Sequence, residues 1–292
     1  YILPADDGDA DQILATNGSG TLDWVAQTGG GTLPLNIAEG RLTLTTATPV
    51  TTADVTAATT LYYALYNGNR IALFDGISTW NVRTFTELSV AVPATTSTMY
   101  DVWVYDNAGT PAIEVLAWTN DTTRATALTT QNGVYVKTGA TTRRYVGSFR
   151  TTAVSGQTED SLAKRFVWNY YNRIPRVLKR FETTATWTYD TDTVRQARAS
   201  TDNQVAVVIG VNEVPVEVSL VAQARHSTTG TISIGIGVDS TTATAGTTAR
   251  ATIPTAGTVS LSVRYIGFPG IGYHYVTWLE RGGGATTTWV GN

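Results

Sequence analysis

Tight-turn signals recur about every ten residues along much of this chain, and that spacing constrains the fold more than any other feature. Asn67-Gly68, Asp75-Gly76, Asn107-Ala108-Gly109 and Asn132-Gly133 combine residues that tolerate positive φ. Each separates two runs rich in Val, Ile, Thr and aromatics, which fit a pleated, half-buried surface. Candidate strands between Leu33 and Thr152 are Arg41 to Leu44, Leu61 to Leu65, Arg70 to Phe74, Thr79 to Thr84, Tyr100 to Tyr105, Ile113 to Trp118, Val134 to Lys137 and Tyr145 to Arg150. Many short strands at this spacing predict an antiparallel jelly roll or a related two-sheet sandwich. Asp101, Trp103 and Tyr105 alternate with Val102 and Val104, so the second face of that strand is expected to meet a partner or a neighbouring element.

Composition agrees and removes several functional classes. Apolar residues make up 42% and charged residues 15%, which predicts a packed core rather than disorder. Thr is the commonest residue, and its branched Cβ favours strands. The formal net charge is −3, with basic residues gathered only between Lys164 and Arg180, so neither nucleic acid nor an anionic membrane is the expected partner. The chain has no cysteine, which rules out disulfides and thiolate metal sites, and it has no apolar run of bilayer-spanning length. At 292 residues it is long enough for two domains, and its first residue, Tyr1, is expected to follow further chain.

The first 32 residues read differently. Ile13-Leu14 and Leu22 to Trp24 flank Asn17-Gly18, a hairpin signal, and the segment closes on Gly29-Gly30-Gly31. Too few apolar residues lie here to bury a core of their own, so residues 1–32 are expected to form an extended connector that packs on other copies. Tyr1, Leu3, Pro4, Asp7, Gly8, Ala10, Gln12, Leu14, Thr16, Gly18, Gly20, Leu22 and Trp24 resemble, in order, a connector element of bacteriophage tail-fibre and related virion proteins. Residues 40–150 and 158–180 also look like phage and prophage structural proteins. The resemblance implies a non-enzymatic fibre or decoration component on the virion surface, a homotrimer that contacts other virion proteins. It places Leu3, Leu14, Leu22 and Trp24 at the subunit interface.

After a first domain at 33–157, residues 158–176 are expected to form one linking helix. Thr158 can cap it, and Glu159 and Asp160 suit its first turn. Leu162, Phe166, Tyr170 and Ile174 fall four apart, and Pro175 ends the pattern. Residues 177–292 return to strands at Gln204 to Val211, Val214 to Ala222, Thr231 to Val238, Ala249 to Ile253, Thr258 to Tyr265 and Gly272 to Leu279, a second sandwich domain. Gly235 and Gly237, opposite Ile232, Ile234 and Ile236, leave a bare face that another strand, sheet or subunit can approach. Trp289, almost at the end of the sequence, is expected to dock on a neighbouring subunit.

The catalytic inventory is poor. His274 lies among aromatics and is read as a hydrogen-bonded structural histidine, and His226 opens a polar turn and is expected to face solvent. Glu114, Glu217 and Glu280 are the strand carboxylates a glycosidase could pair, but sequence does not pair them. Asp6, Asp7, Asp9 and Asp11 alternate like calcium ligands but lack the distal bidentate Glu, so no metal is assigned. No cofactor is assigned either, because no glycine-rich run leads from a strand into a helix. The abundant Trp and Tyr leave a glycan-stacking surface as an alternative, with Trp103 and Trp118 as candidates. Three readings follow: a structural virion fibre, favoured; a glycan-binding receptor protein; and a tail polysaccharide depolymerase.

Overall fold

The computed structural model describes residues 2, 4, 12–16, 18–26, 35–253, 256–284 and 286–291. Tyr1, Leu3, Asp6 to Asp11, Asn17 and Gly29 to Gly31 lie outside the described residues, and with them the tip of the expected hairpin turn and the acidic run. The chain divides into two units, Tyr1–Ile37 and Ala38–Asn292. In the first, β1 (Gln12–Thr16) and β2 (Leu22–Ala26) pair antiparallel.

The expected strands of the first half all form, with ends no more than five residues from those anticipated. β9 (Met99–Asn107), β10 (Thr110–Ala117), β11 (Leu128–Gln131), β12 (Val134–Lys137) and β13 (Ala140–Arg150) lie in the order β10-β9-β13-β12-β11. β3 (Gly40–Thr43), β5 (Thr60–Leu65) and β8 (Leu88–Ala91) make a three-stranded sheet, and β6 (Arg70–Phe74) pairs with β7 (Trp80–Thr84). Alternate residues of these sheets meet in one core that includes Leu42, Leu61, Ile71, Leu73, Val102, Val104, Val146 and Phe149. Each such side chain contributes roughly 1.5–3 kcal/mol by leaving water. The turns work as their residues require: Asn67, Gly68, Gly76, Ala108, Gly109, Asn132 and Gly133 all carry positive φ.

In the second half, β17 (Thr186–Thr188), β20 (Val216–His226), β23 (Gly257–Gly267) and β25 (Thr287–Val290) form a sheet in the order β17-β25-β20-β23. A larger sheet starts with β22 (Thr248–Ile253), β21 (Gly230–Val238), β24 (Gly272–Arg281) and β19 (Gln204–Ile209), and β18 (Arg195–Gln196) adds to β24. Ile232, Ile234, Ile236, Leu261, Val263 and Trp289 fill the core the two sheets share. The bare face at Gly235 and Gly237 is used by the same chain rather than by another subunit. A Cβ on Gly235 would sit 2.5 Å from Thr244, and one on Gly237 would sit 2.4 Å from the Ser240 carbonyl.

The linking helix does not form. Residues 158–176 instead hold β14 (Thr158–Asp160), β15 (Lys164–Arg165) and β16 (Val167–Asn169), followed by a segment without regular secondary structure. The reason is tertiary. Thr158 donates its hydroxyl to the Arg150 carbonyl at 2.6 Å instead of capping, and β14 pairs with β4 (Val55–Ala58). β15 pairs in parallel with β19, and β16 pairs with β13. β15, β14 and β4 extend the larger sheet to the order β22-β21-β24-β19-β15-β14-β4, whereas β16 joins the sheet of β13. A third cluster, Met99, Trp118, Phe166, Ala206 and Val208, fills the space along this join. The expected division into domains at 33–157 and 177–292 therefore does not appear, because one sheet runs through both halves and Ala38–Asn292 is one unit.

Candidate functional site

The hairpin of β1 and β2 is the feature whose chemistry is least complete within one chain. Leu14 faces Trp24 across the strands, Thr16 faces Leu22, and Ile13 faces Val25. Because side chains alternate, Leu14, Leu22 and Trp24 share one face while Ile13 and Val25 share the other. Ile2 lies beside them, its amide donating to the Gly20 carbonyl and its carbonyl accepting from the Leu22 amide. Gly18 and Gly20, both at positive φ, turn the chain between the strands. Ile2 is 70% exposed, Ile13 46% and Leu14 41%, and Leu22 and Trp24 are half-buried. Apolar residues thus stand on both faces of a two-stranded sheet, a form marginal in water by itself. Leu3, the fourth expected interface residue of this segment, lies outside the described residues.

Trp289, Trp103 and Trp118 are not where their expected roles need them. Trp289 is fully buried in its own chain, in β25 between β17 and β20, and its indole N–H donates to the Tyr189 carbonyl. Trp103 is also fully buried, edge-on to Tyr145 at 5.5 Å. Trp118 is 5% exposed, with the Arg124 guanidinium 4.5 Å above its ring. Neither ring presents an open face to a sugar. The second face of β9 does meet a neighbouring element, as its alternation implied, and that element belongs to the same chain.

The contact there is a buried polar network. Arg124 donates to Asp101 at 2.8 Å and to the Gly210 carbonyl, Ser148 donates to Asp101 at 2.7 Å, and the Tyr145 and Ser148 hydroxyls are 2.6 Å apart. Burial pushes the Asp101 carboxyl up, opposed by Arg124 and Ser148, and burial pushes the Tyr145 phenol well above its ordinary value. Gly210 passes so close that a Cβ would sit 2.2 Å from the Tyr145 hydroxyl and 2.3 Å from the Trp168 ring. With Asp101 2% and Arg124 9% exposed, the network joins β9 and β13 to the end of β19 and offers substrate no approach.

The carboxylates of interest stand in three different sheets. Glu114 in β10 bridges Lys137 and Arg143, and Glu217 in β20 pairs with Arg264 at the surface. Glu280 in β24 is fully buried and accepts from Trp187 Nε1, Arg195 and the Arg198 amide. Burial raises its pKa despite those donors. Glu182, which sequence reasoning passed over, accepts from the Thr184 amide, Arg198 and Asn203. Burial works to raise it, but those bonds outweigh burial and hold its pKa at about 2.

Both histidines are structural in their contacts. His274 Nδ1 lies 2.7 Å from Asp239, in line with its expected role. His226 is 3% exposed rather than solvent-facing, because β20 continues to it and β25 pairs alongside. Its Nε2 lies 3.0 Å from the Thr287 hydroxyl, and burial lowers its pKa. Among the described residues no group of three or more His, Asp or Glu is placed to hold a metal ion.

Comparison with protein-family models and with curated proteins found no match for this chain.

Proposed function

We propose that this chain is a non-enzymatic structural component of a bacteriophage particle, a tail-fibre or head-fibre module at the virion surface that works as a homotrimer. The observation that carries the proposal is the β1–β2 hairpin, with Ile2, Ile13, Leu14 and Val25 all at least 40% exposed. Burying several large side chains per copy between copies is worth roughly 1.5–3 kcal/mol each, enough to drive association. Three-fold symmetry and contact with other virion proteins come from the resemblance of Tyr1 to Trp24 to fibre connectors. The remainder is read as two jelly-roll-like sandwiches fused through the long sheet.

Light scattering on the full chain and on a version lacking residues 1–32 tests this. The full chain should have about three times the 31.2 kDa mass of one copy, and the shortened chain should be monomeric. A monomeric full chain at micromolar concentration would refute the assignment. A trimer that survives the deletion would move the interface to the β sheets.

A further inference from the structure

A groove of about 420 Å³ is lined by the irregular segment after β16 and by the strand–loop run from β19 to β20. That volume is in the range of small-ligand sites. Its lining is largely aliphatic, with Ile174, Val207, Ile209, Val211, Val214 and Val216 beside the Trp168 ring. The charged residues lining it are all arginines, Arg41, Arg165, Arg173 and Arg176, and among the described residues no carboxylate lines it.

Arg41 is the residue that other contacts explain least. It is 5% exposed, and it donates Nε to the Pro49 carbonyl and Nη1 to the Asn172 carbonyl. Arg165 and Arg176 share Asp160, and Arg173 pairs with Glu213, whereas Arg41 has no carboxylate partner among the described residues. Burial, then the neighbouring Arg176 charge, hold its pKa below the ordinary guanidinium value. Arg41, Arg165 and Arg176 all interact electrostatically with one carboxylate, Asp160, and so leave a positive excess among the aliphatic residues of the groove, where a buried cation is costly unless paired.

From this juxtaposition we infer that the groove binds a single-chain anionic amphiphile, its acyl chain along the aliphatic lining and its carboxylate on Arg41. A neutral lipid would leave Arg41 as it is. The site lies wholly within residues 41–216 and is independent of the association proposed above.

Calorimetric titration of the full chain with sodium dodecanoate below its micelle concentration tests the inference, with dodecanol and sodium acetate in parallel. Dodecanoate should bind saturably at one site per chain; dodecanol should bind at least about tenfold more weakly, as loss of one charge-assisted bond implies, and acetate, which keeps the carboxylate but lacks the chain, should not bind measurably. Arg41→Gln should weaken dodecanoate about tenfold or more by the same reasoning. Because Arg41 is buried, Val214→Glu at the 56% exposed rim provides a second variant, whose added carboxylate should also weaken dodecanoate without changing the melting temperature. Phosphatidylglycerol vesicles distinguish a free amphiphile from a membrane, and only the free form should bind. Absence of saturable binding, equal affinity for dodecanol, or unchanged affinity in a folded Arg41→Gln or Val214→Glu protein would each overturn the inference.

Discussion

The side chains that matter most here are the charged ones taken out of water with their partners. Glu182 gives the clearest test. Its pKa falls from an ordinary 4.5 to about 2 in the folded chain, so its contribution is present above pH 4.5 and is lost as pH falls toward 2. At neutral pH that contribution is roughly 3 kcal/mol at most. Glu182→Gln should therefore melt below the parent protein at pH 7, and the gap should close near pH 2. A gap that stays constant with pH would mean the carboxylate charge is not what stabilises this corner. Sequence carried little warning of such residues. Alternation told which side of β9 Trp103 occupies, but what covers that side depends on Gly210 and Trp168, more than sixty residues later. His226 looked exposed for a similar reason, since the strand that buries it, Thr287–Val290, begins 61 residues later in the chain.

Most strands were legible because turn residues bracket them and their side chains alternate. The error over residues 158–176 has an arithmetic origin. A spacing of four is one turn of helix, yet it is also an even number, so Leu162, Phe166, Tyr170 and Ile174 satisfy the period of a strand equally well. Hydrogen-bond partners decided the outcome, and they are supplied by β4, β13 and β19. Phe166 is buried as the helical stripe required, 3% exposed and edge-on to Tyr273, but on different backbone. Phe166→Ala should destabilise by about 3–5 kcal/mol, the usual cost of truncating a core aromatic. A loss under about 1 kcal/mol in a denaturant melt would contradict the tight packing along the join. The hairpin was legible from its glycines but its register was not, since Thr16 pairs with Leu22, farther along the chain than a two-residue Asn17-Gly18 turn implies.

Because the larger sheet takes strands from both halves, the body from Ala38 to Asn292 should unfold in one step. Near-ultraviolet and far-ultraviolet circular dichroism should give coincident transitions, whereas two separated transitions would show that the join at β14 and β15 is too weak to couple the cores. That join sets Val55 beside Asp160, and Lys164 beside Ala206. During synthesis the ribosome delivers β4 more than a hundred residues before β14, its partner, and β15 must wait for β19 as well. Pairings this distant are slow to close. The nascent chain must therefore carry β4 unpaired while about a hundred further residues are added, so its yield in the cell depends on how well β4 is shielded in that interval.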